Sequence, residues 1–292
     1  MKTGKRRLRK LMLKHFHCMQ YIMRGRRSKK HLLLPFLLII FMPFLGGCQS
    51  KAHDFLVIGV PDDAGGLIVE YMIANKLPGL KVEERFDMYA IKDCCSSTSA
   101  WALSSSEVNM AVICPDAAED LIAKDERYVI VGPVLANSDL FVLGREQNIK
   151  TIGYTQNRWY QKDLIHKKWK GVRPVPLLST ALPYALEKGV VDGVVIDVSK
   201  CQGIKGTLMP VYEEGQDVIT YVLVANKEVL NLKEFKEIMQ AWDKAAHELN
   251  EVEKLSAFLQ QNVSNGDETK GVEIEIWKKA GVKFLSPLSD QK

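Results

Sequence analysis

Six cysteines, at positions 18, 48, 94, 95, 114 and 201, are the most reactive residues of the 292-residue chain. Thiolates are soft ligands that favour Cu(I), zinc, mercury-like ions and organometal species over hard, oxygen-loving cations. Cys94 and Cys95 are adjacent within Asp93-Cys94-Cys95-Ser96. A bridge between sequence neighbours is strained, so the pair points to partners elsewhere or to one shared bound species. A helix starting at Ser96 would lower the pKa of the thiols beside it. Cys94, Cys95 and Cys114 are therefore the candidate metal ligands. Two other chemistries stay open. Cys94, Cys95, Cys114 and Cys201 are an even set that can close disulfides, or Cys94 or Cys95 can act as a nucleophile or redox thiol. Nucleophilic catalysis wants a base within hydrogen-bond reach, yet His53, His166 and His247 stand apart and no Cys-x-x-Cys pair occurs. The expectation is a protein that is not an enzyme and carries no cofactor. Ala64-Gly65-Gly66 lacks the Gly-Lys-Ser/Thr ending of a phosphate loop; its glycines would let backbone approach a ligand.

The elements that must position these groups follow from hydrophobic patterning. From Asp54 onward, β-branched runs alternate with helical patterns, which predicts parallel sheets covered by helices. Strands are expected at 55–60, 81–86, 108–113, 128–134 and 140–143, with helices at 64–76 and 96–103. A second group has strands at 151–154, 175–178 and 191–196 and helices at 159–170 and 179–188. Residues 219–224 read as a strand that could cross back to the first group. Beyond it, Leu232, Phe235, Ile238, Met239, Trp242, Ala245, Ala246 and Leu249 form one apolar helical stripe. Further helices at 255–263 and 272–280 are expected to brace the first lobe.

An internal echo ties the two groups together. Residues 96–103 lie over 179–186, and Val108-Asn109-Met110-Ala111-Val112-Ile113 lies over Val191-Asp192-Gly193-Val194-Val195-Ile196 without a gap. Each copy reads as a helix with a Ser/Thr cap, a turn and a buried strand. With Ala185-Leu186, Gly189 and Val191-Asp192-Gly193, the chain resembles the two-lobed solute-binding proteins of ABC importers, closest to those serving nitrate, sulfonate and thiamine-precursor uptake. The first copy departs, with Ser106 in place of the Gly and Asn109 in place of the Asp. More narrowly, Asp93-Cys94-Cys95-Ser96 resembles cysteine- or selenocysteine-bearing binding proteins suspected of organometal transport.

The resemblance implies an α/β, type II periplasmic-binding-protein-like fold: two doubly wound lobes, a cleft between them, and C-terminal bracing helices. Lobe 1 would comprise 48–137 and 220–292, and lobe 2 would comprise 138–219, hinged near Ala136-Asn137-Ser138 and again near 215–219. Ligands of open α/β sheets sit beyond the carboxyl ends of strands. That rule nominates Asp62, Asp63, Cys94, Cys95, Ser96 and Cys114 from the first lobe. From the second it nominates Tyr154, Trp159, Ser179, Thr180, Asp197 and Cys201. Trp159 could stack on a flat or cationic ligand. The solute would be a small molecule, either a soft-metal or organometal species held by thiolates, or an organic anion with the cysteines in structural disulfides.

The first 47 residues hold 12 of the 40 Lys and Arg and none of the 35 Asp and Glu, so the remainder carries 28 basic against 35 acidic residues. A globular part this acidic excludes nonspecific nucleic-acid binding. The uncharged run 32–45 is too short to span a bilayer, which takes roughly 20 apolar residues, and has the length of a signal-peptide core. Leu45-Gly46-Gly47-Cys48 resembles the lipobox of bacterial lipoproteins. The resemblance implies a signal peptide over 1–47 and a diacylated Cys48. The protein would then be a monomer anchored by lipid, palmitate included, on the extracytoplasmic face of the cell membrane, with an ABC permease as partner.

Overall fold

The structure is a computed structural model and describes residues 56–75, 86–92, 102–105, 107–263 and 274–288. Cys48, Cys94, Cys95, Ser96 and most of the helix expected at 96–103 lie outside the described residues. Strands β1 (Leu56–Pro61), β2 (Phe86–Ile91), β3 (Met110–Ile113), β4 (Tyr128–Ala136), β10 (Ile219–Asn226) and β11 (Lys283–Phe284) make one sheet, ordered β11-β4-β10-β3-β1-β2. Strands β5 (Asp139–Leu143), β6 (Thr151–Thr155), β7 (Arg173–Leu177), β8 (Gly193–Asp197) and β9 (Thr207–Pro210) make the other, ordered β7-β6-β8-β5-β9. Both sheets belong to one compact unit. The described helices are α1 (Leu67–Ala74), α2 (Pro115–Lys124), α3 (Trp159–Lys168), α4 (Leu182–Glu187), α5 (Lys233–Leu249), α6 (Val252–Val263) and α7 (Ile274–Ala280). None of the described helices is long and apolar enough to cross a membrane.

β1, β3, β5 and β8 are buried along their whole length, as strands covered on both faces must be. The sheets are mixed rather than all parallel. β5 and β10, each entered where the chain crosses between sheets, run antiparallel to β8 and β3. β2 begins at Phe86, where the expected strand ended, because Phe86 and Ile91 are the buried pair that anchors this edge strand. The helix expected from Ala64 starts as a tight 3-10 turn over Ala64–Gly66 before α1. A Cβ on Gly66 would lie 2.2 Å from the Pro61 carbonyl oxygen and one on Gly65 2.5 Å from the Tyr221 ring. The two glycines therefore serve close packing within the fold.

Among the described residues, the strand half of the echo is structural and holds residue by residue. Ile58 and Gly59 pair with Met110 and Ala111, just as Ile152 and Gly153 pair with Gly193 and Val194. Val57 donates its N–H to Asn109 Oδ1 at 2.9 Å, and Thr151 donates its own to Asp192 Oδ2 at 3.0 Å. A carbonyl-type acceptor is all this bond requires, so the amide at 109 does the work of the carboxylate at 192. The Ser/Thr caps do not hold in the second copy. Pro183 in the first turn of α4 sets the helix start at Leu182, and Ser179 falls in a preceding 3-10 turn with no side-chain capping bond.

The apolar stripe of α5 is buried through Phe235, Ile238, Met239, Trp242, Ala245 and Leu249 and packs on α1 and α6. α7 does not stay with the first sheet: it touches α6, but also β9 and the 3-10 turn Val198–Lys200 of the second. Its buried Ile276, Trp277 and Ala280 supply the face for this contact. At the crossings, Asn137 (φ 61) is fully buried. Its amide donates to Asp217 Oδ1 at 2.8 Å and to the Gly281 carbonyl at 3.1 Å, while its Oδ1 accepts from Val218 N.

Candidate ligand-binding junction

The carboxyl ends of β1 and β3 in one sheet and of β6 and β8 in the other meet at a buried polar group. Asp63, N-cap of the 3-10 turn after β1, accepts from Gly65 N and pairs with Arg158 Nη2 at 3.2 Å. Arg158 precedes α3, at the end of β6, and only 4% of its side chain is exposed. Its Nη2 also donates to Tyr221 Oη at 2.6 Å, and Tyr221 donates on to Asp197 Oδ2 at 3.2 Å. Asp197, at the end of β8, takes on Oδ1 the N–H of Ala64 at 3.1 Å and both the N–H and hydroxyl of Ser199. Asp139 opens β5 directly opposite Asp197 in the ladder. Its Oδ2 accepts from Tyr160 Oη and Gln161 Nε2, both at 2.7 Å. Asp116 in the first turn of α2 accepts the N–H of Tyr160 at 3.2 Å.

These bonds join the two sheets. Ala64 to Asp197, Arg158 to Asp63 and Tyr160 to Asp116 each cross from one to the other, and Lys200 Nζ lies 3.9 Å from the half-exposed Asp62. The cleft is closed on its own polar groups. Burial, partly offset by Arg158, pushes the Asp139 carboxyl above its ordinary range, and burial followed by the Asp139 charge pushes the Tyr160 hydroxyl well up.

Of the residues nominated from sequence, Asp62, Asp63 and Asp197 come together here. Cys114 is buried as the N-cap residue of α2, two residues before Asp116. Cys201 is buried with its Sγ 3.4 Å from the Asp197 carbonyl. Burial and then the charges of Asp197 and Asp139 hold its thiol far above the usual range, so it is neutral. Ser179 is buried and Thr180 exposed at the turn before α4. Tyr154 packs in the second sheet's own apolar cluster with Phe141, Ile165 and Val195, and Trp159 is 54% exposed beneath Lys162. Among the described residues, no three His, Cys, Asp or Glu side chains are placed to hold a metal ion. The two described histidines, His166 and His247, are exposed. Sequence reasoning missed Asp139, Arg158, Gln161 and Tyr221. For Asp139 a signal existed: a carboxylate opening a run of buried β-formers, beside the stretch 136–138 where a hinge was expected.

No family model matches the sequence, and no curated protein matches it either. Solved structures do match the fold. An alkanesulfonate-binding protein from Xanthomonas axonopodis pv. citri bound to MOPS aligns at 13% identity and TM-score 0.59, covering 82% of this chain and 90% of its own. The ligand-binding component of an ABC-type import system from Staphylococcus aureus with zinc bound aligns at 12% identity and TM-score 0.59, covering 80% and 86%. An ABC transporter structure from Parabacteroides distasonis aligns at 11% identity and TM-score 0.60, covering 82% and 88%. The fold is the mixed α/β, two-lobed fold of periplasmic binding proteins.

Proposed function

We propose that this chain is the solute-binding component of an ABC importer, held on the extracytoplasmic face of the membrane by lipid on Cys48 and capturing a small solute between two lobes for a permease. Lobe 1 would be 48–137 and 220–292 and lobe 2 would be 138–219. The observation that carries the reading is the convergence of Asp63, Asp139, Arg158, Asp197 and Tyr221 from both sheets on one closed junction at the strand ends. Such a junction suits a capture protein, which closes its lobes about a hinge.

For the solute, thiolate capture of a soft-metal or organometal species by Cys94, Cys95 and Cys114 remains the reading. Its support is the place of Cys114, at the carboxyl end of β3 beside the junction. Thermal unfolding with silver, zinc and methylmercury ions tests it, since ligand at about 100 times Kd adds about 2.7 kcal/mol of stability. A raised midpoint without turnover of any thioester or disulfide supports the binding module. No shift with these ions or with any organic solute would overturn it.

A further inference from the structure

We infer that the junction seats the cationic end of the solute, a group bearing N–H donors such as an ammonium or guanidinium. The inference rests on the solute-binding reading above, though not on its soft-metal form, to which it is an alternative, and adds the charge class of the ligand. Among the described residues the buried group holds three carboxylates, Asp63, Asp139 and Asp197, against one cation, Arg158. Hydrogen bonding picks out which carboxylate is incomplete. Asp197 accepts from Ala64, Ser199 and Tyr221, and Asp63 from Gly65 and Arg158. Asp139 is fully buried and has two donors on Oδ2, from Tyr160 and Gln161, but among the described residues nothing donates a hydrogen bond to Oδ1. Arg158 Nη1 lies 3.6 Å from Oδ1, an ion pair without a hydrogen bond, because the other end of its fork is committed to Asp63 and Tyr221. Natural structures seldom leave a buried acceptor unmet without a functional reason.

A ligand N–H that donates to Asp139 Oδ1 supplies the missing bond and brings the cluster toward neutrality. An organic anion would instead face carboxylates of both sheets, with the guanidinium already spent. Tyr160, Gln161 and Tyr221 close around Asp139 and Arg158, so the positive group enters only when the two sheets part.

Asp139→Asn keeps the shape and removes the charge. We expect the ligand-free variant to melt at or above the wild-type midpoint at neutral pH. Ethylammonium, guanidinium and agmatine at millimolar concentration should raise the wild-type midpoint by about 2 °C or more and leave the variant unmoved. Ethanesulfonate and nitrate at matched ionic strength should move neither. A ligand-free variant that melts several degrees lower would overturn the inference, because the charge would then be a complete structural partner of Arg158. So would stabilisation by an anion, equal stabilisation of both proteins by a cation, or no effect of any cation. In the last case, the solute-binding reading stands if an anion or a soft metal ion stabilises the protein, and falls with the inference if nothing does.

Discussion

Arg158→Met removes the only cation described within the buried cluster while keeping most of the side-chain volume. Left behind are Asp63, Asp139 and Asp197, all buried, together with Tyr221, which loses the 2.6 Å donor that orients it. Breaking a buried pair by deleting one partner costs about 3–5 kcal/mol, because the other charge is left uncompensated. Over a chain of this size each kcal/mol moves the melting midpoint by roughly 2–4 °C, so a fall of roughly 6–20 °C is expected. Circular dichroism or calorimetry on the ligand-free protein at neutral pH reads it directly. The double variant with Asp63→Asn should recover part of the loss, since the two groups share one contact and couple by about 0.5–3 kcal/mol. A midpoint within about 2 °C of wild type would refute the reasoning. It would mean that the guanidinium is solvated in solution and the two sheets do not meet across it.

Three further outcomes follow from local physics. Trp242 is fully buried and among the described residues its indole N–H has no acceptor, so Trp242→Phe, which also removes an unmet donor, should cost less than Trp242→Ala, at about 3–5 kcal/mol, read by denaturant unfolding. Hydrogen bonds from Lys283 and Asn137 lower the Asp217 carboxyl below its ordinary range. That stability is present above the unfolded carboxylate pKa and lost as pH falls through the lowered folded value, so Asp217→Asn should weaken the protein at neutral pH but not in strong acid. Iodoacetamide at mildly alkaline pH should leave Cys201 unmodified in the native protein and label it in urea, as peptide mass spectrometry would show; rapid native labelling would contradict its burial beneath Asp197.

The fold was legible where burial on both faces writes a continuous apolar run, as in β1, β3 and β8, and the duplication was legible because the same run recurs with a side-chain acceptor at 109 and 192. α2 escaped because Cys114-Pro115-Asp116 reads as a loop and its helix buries only Ala118 and Leu121. β9 and β11 escaped because both are short edge strands whose pairing is decided by partners far along the chain. The antiparallel course of β5 and β10 is set by the two crossings, which no local pattern records. At the junction, Asp63 and Asp197 were found by their strand-end positions. Arg158 lies on the same strand-end loop as Tyr154 and Trp159 but was not singled out, since a lone arginine after Asn157 has the look of a solvated loop, and only the second sheet's approach to Asp63 and Tyr221 buries it.

The footing of α7 on both sheets, with Asn137 fastened to Gly281 at the crossings, changes what opening can mean. A book with a third leaf glued across its spine cannot simply fall open. Its covers must twist or slide against that leaf, and the extent of their parting is then governed from the far end of the chain.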